Sequence, residues 1–298
     1  AYVDRILDSW SMLTFITPKT DFAFKKIFGS AQSKDILISF LNAMLYDESP
    51  TIQDLTILDP YQAPRIVGMK DSFLDVKAVL ADSTTVIIEM QVLNTFGFEK
   101  RVLYNAAKSY STQLKQGDNY HLLNPVIALT VTDFHMFEHN SNVISRYCLM
   151  DKATFTEYSD DIELVFVELP KFKKSLNDLE TLSDKWLFFL KAADELQAVP
   201  SSLEAVAEIN EAFEVARQSK LTPEEMEIFE KRQMVLHDYH NAVLLGEMRG
   251  KVEGKAEGIS EGKQQAKIEV ARSLLTVLPV ETISQTTGLS IEEIEALK

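Results

Sequence analysis

From Asp21 onward, apolar positions recur every three or four residues. Phe24, Ile27 and Phe28 form one such set, and Ile36, Leu37, Phe40, Leu41, Met44 and Leu45 a second. This spacing predicts two helices, interrupted at residues 29–33 and ended by residues 47–50. The period then drops to two. Residues 52–58, 73–80 and 85–93 read as strands, with 81–84 short enough for a hairpin turn between the last two. Leu103, Ala106, Ala107, Tyr110 and Leu114 restore a helical period over 99–115, which Gln116, Gly117 and Asp118 end. Pro125 opens a continuous apolar run over 126–131 that fits a buried strand, and 162–169 gives a last strand before Pro170. The order is helix, three strands, helix, strand and a further strand. Strands that arrive first as a meander and later through a helical crossover predict an α/β core with a mixed sheet.

After Pro170 no strand pattern survives. Residues 176–196, 202–218 and 223–245 read as helices, the third with Thr222 as its cap and Pro223 in its first position. Gly246, Gly250, Gly254, Gly258 and Gly262 then recur every four residues among Glu and Lys. Each glycine costs a helix about 1 kcal/mol relative to alanine. The segment is therefore either a close helix–helix contact between subunits or a flexible, weakly helical linker. Helical patterns at 268–278 and 291–297, with Gly288 and a capping Ser290 between them, form a helix-turn-helix-like end; a small interaction hairpin fits the spacing equally.

The chain has 298 residues, 46% of them apolar and 25% charged. A sizeable core can be buried, and the length is generous for one domain. The expected organisation is a core domain over 12–170, a helical region over 171–245, the glycine segment over 246–267 and the helix-turn-helix-like end over 268–298. Met12 is a candidate native start, and the residues before it have no secretory pattern. The apolar runs fall short of the roughly 20 residues a membrane helix needs. The single cysteine, Cys148, excludes an internal disulfide and a cysteine-based zinc site, and reads as a small core residue in a reducing, cytoplasmic protein. The five histidines form no metal signature. No phosphate-binding glycine loop suggests a nucleotide cofactor, and no Gly-x-Ser-x-Gly element suggests a serine hydrolase. The net charge of −15 argues against a generic nucleic-acid binder. It leaves room for an enzyme whose contact with DNA is weak and strongly dependent on metal and salt.

The chemistry concentrates on the central hairpin. Alternation puts Asp75, Lys77 and Val79 on one face of the first strand, opposite Leu74, Val76, Ala78 and Leu80. On the second strand it puts Thr85, Ile87, Glu89 and Gln91 together, opposite Val86, Ile88, Met90 and Val92. The hairpin can bring Asp75 beside Glu89 and Gln91. Glu89 sits inside an apolar run, where an uncompensated charge is costly, so it needs a cation. A carboxylate from each of two paired strands suits Mg²⁺ or Mn²⁺, which takes oxygen ligands and keeps waters. Such a site can activate water against a phosphate.

The arrangement Asp75…Glu89-Met90-Gln91 resembles the D…(D/E)-x-K signature of the PD-(D/E)xK nuclease superfamily. It is closest to the recombination-promoting nuclease or putative-transposase branch, where the third residue is typically Gln. The stretches 19–29 (KTDFAFKKIFG) and 40–45 (FLNAML), then Arg101, Tyr104, Gly117, Tyr120 and Pro125-Val126-Ile127, carry the same likeness. So, more loosely, do the glycine tail and the closing Thr-Gly-Leu-Ser. The resemblance implies a restriction-endonuclease-like αβββαβ core followed by an all-helical C-terminal region. It also implies Mg²⁺-dependent DNA cleavage with Asp75 and Glu89 as metal ligands and Gln91 as the third catalytic residue. Leu74 replaces the motif's Pro. The third-position Lys is absent; Lys77, on the face of Asp75, either substitutes for it or is a solvent-exposed side chain, and Lys70 is a weaker substitute. Asp21 either reaches the metal or favours its helix dipole. Arg101 either holds a phosphate or pairs with an acid, and Tyr104 walls the site or packs. Two functions follow: a DNA endonuclease linked to recombination, mobile elements or defence, or a nuclease fold that only binds DNA or protein. True transposition is a weaker third. The helical C-terminal half suits a homo-oligomer.

Overall fold

The structure is a computed structural model that describes residues 14–62 and 72–297. Met12 and Lys70 lie outside the described residues. Helix α1 (Asp21–Phe28) starts where the Thr20 side chain accepts from the Ala23 N–H. Helix α2 (Lys34–Leu45) follows. Strand β1 (Leu55–Leu58) leads to a small two-stranded sheet of β2 (Tyr61–Gln62) and β3 (Ser72–Phe73). Then come β4 (Val76–Leu80), β5 (Thr85–Gln91), α3 (Phe98–Ser111), β6 (Val126–Thr132), β7 (Ile144–Met150) and β8 (Glu157–Glu168). The main sheet has six strands in the order β1-β4-β5-β6-β8-β7. The β5–β6 and β6–β8 pairs are parallel, and the other three are antiparallel. This is the mixed α/β sheet expected, with a long helical C-terminal region after it.

Helices cover both faces of the sheet, so its centre is buried throughout, and every residue of β6 is buried. On one face Val76, Ala78, Val86, Ile88, Leu129 and Val165 pack with α1 and α2. The helices that follow the sheet, α4 (Leu182–Ala192), α5 (Ser201–Glu204) and α6 (Ala207–Ala216), join the same core. Trp186 of α4 packs against Phe28 and Phe40 at 5.8 and 5.7 Å between ring centroids. Fully burying a side chain of that size contributes about 1.5–3 kcal/mol, so these helices are part of the sheet's own core. On the other face Ile87, Ala128 and Phe166 meet Phe98, Val102 and Ala106 of α3.

Several elements depart from the sequence pattern. The expected strand over 73–80 is two strands with a bend at Asp75. Leu74 consequently packs on the α3 face while Val76 packs on the opposite one. Strand β7 had no apolar alternation to reveal it, because it is an edge strand with most side chains solvated. Cys148 lies there half-buried, not in the core. The helix expected over 202–218 is broken into α5 and α6. Pro223 opens a single 52-residue helix, α7 (Pro223–Leu274), that runs through all five spaced glycines. The helix-turn-helix-like end consists of α8 (Val280–Thr287) and α9 (Ile291–Glu295), with Gly288 at φ +71° between them and Ser290 capping α9. Residues 268–274 belong to α7 instead, so the first helix of this motif lies later than the spacing suggests. The chain forms two compact units, the first ending at Gln233 and the second starting at Met234. Ala271, Ile283, Leu289 and Ile294 form the core of the second. Among the described residues no helix is long and apolar enough to cross a membrane.

Candidate functional site

Strand β5 carries Glu89 and Gln91 on the face that packs against α3, alongside Ile87. Asp75 reaches them from the bend just before β4, where the β4–β5 ladder ends. The Asp75 N–H bonds the Ile88 carbonyl at 3.2 Å, and its Oδ2 accepts the Met90 N–H at 2.7 Å. The carboxylate therefore occupies the place a strand carbonyl would take, which fixes its position through the backbone of β5. Its Oδ1 faces Lys25 Nζ of α1 at 3.4 Å.

Glu89 is held from α3. Its Oε1 accepts from Asn105 Nδ2, and its Oε2 lies 3.7 Å from the Arg101 guanidinium. Arg101 also donates to Gln91 Oε1 at 2.7 Å, and Gln91 Nε2 donates to the Leu93 carbonyl at 2.7 Å. The Gln91 amide is thus clamped at both ends. Arg101 is steadied by the Phe98 ring, 4.9 Å from its guanidinium carbon. Gly97, at φ +77°, lets the chain turn from the strand into α3 and aim this helix at the site.

Burial pushes the Asp75 carboxyl up from its ordinary value, while the Met90 N–H and Lys25 pull it down and Asp21 pushes it further up. Burial likewise pushes Glu89 up, opposed by Arg101 and Asn105 and reinforced by Asp75. The two acids are close enough to repel, with Glu89 buried and Asp75 half-buried.

A cavity of about 930 Å³ opens over this pair. Six of the seven sequence-predicted residues line it: Asp21, Asp75, Glu89, Gln91, Arg101 and Tyr104. Asp21 also pairs with Arg232 at 3.3 Å. Lys77 does not line the cavity; it is half-buried on β4 between Leu58 and Ile87. Among the described residues the lysine that pairs with Asp75 is Lys25. Sequence reasoning missed Lys25 and Asn105, although each had a signal: Lys25 lies four residues after Asp21, and Asn105 four after Arg101, so each shares its predecessor's helix face.

The model of the PD-(D/E)XK nuclease family transposases matches residues 18–245. The chain belongs to that family. Membership gives it a nuclease- or transposase-related role, with DNA as the implied substrate. The family match runs past the sheet, through α4, α5 and α6, and into α7. No curated protein and no solved structure matches the chain.

The donor set can be tested against the divalent metal such nucleases generally use. Among the described residues no group of three or more His, Cys, Asp or Glu side chains is placed to hold a metal. The pair alone still fits a hard cation. Asp75 Oδ2 and Glu89 Oε1 are committed to hydrogen bonds, whereas Asp75 Oδ1 and Glu89 Oε2 make only ion-pair contacts of 3.4 and 3.7 Å. Mg²⁺ is commonly bound by one or two carboxylates together with waters and substrate phosphates.

Proposed function

We propose that the chain is an endonuclease that hydrolyses DNA phosphodiester bonds with Mg²⁺ or Mn²⁺ held by Asp75 and Glu89, in recombination, mobile-element movement or defence. The observation that carries this reading is the pairing of the buried Glu89 carboxylate of β5 with the half-buried Asp75 carboxylate at the bend before β4, both on the wall of one open cavity. A cation bound there supplies Lewis acidity for the phosphate oxygens and for the attacking water. The protein does the rest. Asp75 is fixed by the Met90 N–H and Glu89 by Asn105, so neither carboxylate has to reorganise. Gln91, immobilised by Arg101 and the Leu93 carbonyl, offers an oriented amide and no charge where the superfamily motif has Lys. Lys25, Lys100 and Arg101 bring the positive charge that receives a phosphate. Asp21 raises the negative potential at Asp75.

The test is plasmid cleavage with and without Mg²⁺, run on the wild type, Asp75→Ala and Glu89→Ala, with each fold checked by circular dichroism. Metal-dependent nicking or cutting that both substitutions abolish is expected; activity retained in both overturns the assignment. A second reading, a nuclease fold that only binds, is favoured by one observation: both carboxylates already face a protein cation. Calorimetry distinguishes the two, because a binding module takes up neither Mg²⁺ nor Mn²⁺.

Self-association is part of the same reading. Leu245, Met248, Val252 and Ile259 are exposed on α7 and spaced by three, four and seven residues. That spacing is a heptad seam suited to pairing with a second copy.

A further inference from the structure

The mouth of the cavity is aromatic. Phe96, in the turn between β5 and α3, lines it and is wholly exposed. Among the described residues no ring contact joins Phe96 to another aromatic side chain. Phe73 also lines the opening and is 70% exposed. Tyr61 backs it across the β2–β3 pair, with ring centroids 4.9 Å apart. Tyr104 of α3 adds a third partly open ring. These rings contribute nothing to either core cluster. Large apolar side chains grouped in water at one opening mark a surface that meets something.

Charge narrows what that something is. The whole chain carries −15, so long-range attraction to a phosphate backbone is weak. Among the described residues the positive groups on the cavity wall, Lys100 and Arg101, stand among the rings. Cationic groups interleaved with exposed aromatic faces are the means by which proteins hold unpaired nucleotides, because every base offers a face for stacking. In a paired duplex those faces are buried in the stack and out of a side chain's reach.

We propose that this site takes DNA with unpaired nucleotides beside the scissile phosphate, as in a flap, bubble or single strand. Phe96 stacks on one unpaired base, and Phe73, supported by Tyr61, is a second platform. The assignment of this opening to the scissile phosphate rests on the nuclease reading above; the stacking does not.

The experiment uses the full chain and oligonucleotides carrying 2-aminopurine, as a matched duplex and as the same duplex with a central bubble. The bubble is expected to bind about tenfold more tightly, a difference of about 1.4 kcal/mol, with quenching of the 2-aminopurine that reports stacking. Phe96→Ala should collapse that preference and the quenching, and Phe96→Trp should restore both. Because Phe96 is wholly exposed, its removal leaves the core intact. Equal affinity for both substrates overturns the proposal, as does a preference that survives Phe96→Ala. So does sedimentation showing that Phe96→Ala dissociates an oligomer, which would assign the rings to a protein contact. Cleavage is scored separately in Mg²⁺. Selective, Phe96-dependent binding without any cutting overturns the nuclease reading and sustains this one. Cutting of matched duplex and bubble at equal rates, in the wild type and in Phe96→Ala alike, does the reverse.

Discussion

Asp75 and Glu89 are both held above the ordinary carboxylate range, chiefly by burial. Such a group destabilises the fold once it ionises. Below the unfolded value it is neutral in both states and the folded protein loses nothing. As the pH climbs through the raised folded value, the unfolded chain releases its proton first and stability falls. Glu89→Gln keeps the shape and removes the charge. In metal-free protein it should therefore melt higher than wild type near neutrality, by about 1 kcal/mol, as is common when a functional group is neutralised. The gap should close as the pH is lowered below the carboxylate range. Its cleavage should fall by about a hundredfold or more, since several kcal/mol of charge stabilisation is lost. Thermal melts from acid to neutral pH check the first part, and a gap that does not change with pH would refute it. At this scale the adjacency of Asp75, Glu89 and Gln91 was legible because alternation along a strand determines which side chains are neighbours, while the role of Gln91 came from the resemblance. Lys25 was legible only as a helix-face residue. Its contact with Asp75 joins a helix to a strand bend fifty positions later, and no local period encodes that approach.

The elements were legible wherever one face is apolar and the other polar. Helices α1, α2 and α3 and strands β1 and β5 appear in the pattern because each packs on the core by one face or both. Strand β7, at the sheet edge, and the first half of β8 stay mostly solvated, so nothing in their residues distinguishes them from loop. The glycines of α7 left two readings open, a helix–helix contact and a linker. Their intrinsic cost argues for a linker, yet the helix is continuous, and a side chain added at any of the five would meet nothing within 4 Å. They are unused by the fold around them. Gly254→Ala should accordingly raise the stability of the second unit by about 1 kcal/mol, seen as a higher melting point by circular dichroism. Gly254 stands about 200° around the helix from Val252, away from the proposed seam. Light scattering should therefore show Gly254→Ala with an unchanged molar mass and Val252→Glu with a reduced one. Dissociation by Gly254→Ala would transfer the contact from the seam to the glycines.

At the scale of the whole molecule the decisive quantity is charge. A net −15 repels DNA at long range, and among the described residues the cations that oppose this at the site are few: Lys25 at Asp75, and Lys100 and Arg101 on the cavity wall. Each phosphate neutralised lowers the slope of log K against log salt by about 0.9 on duplex DNA and about 0.7 on single strands. Three contacts give a slope of about −2 to −3, shallow for a DNA-binding protein. If affinity rests on that small patch and on stacked bases, salt should weaken binding modestly, and the stacking part should persist where the electrostatic part has gone. Titrating Glu89→Gln, which is expected to bind without cutting, over a range of NaCl measures the slope. A value steeper than about −6 would require about seven or more phosphate contacts. It would place the main DNA-binding surface outside this cavity, and the acidic total would then conceal a basic face elsewhere in the chain. A shallow slope, with Lys100→Ala making it shallower by close to one contact, would locate recognition at the mouth formed by β5, α3 and the β2–β3 pair.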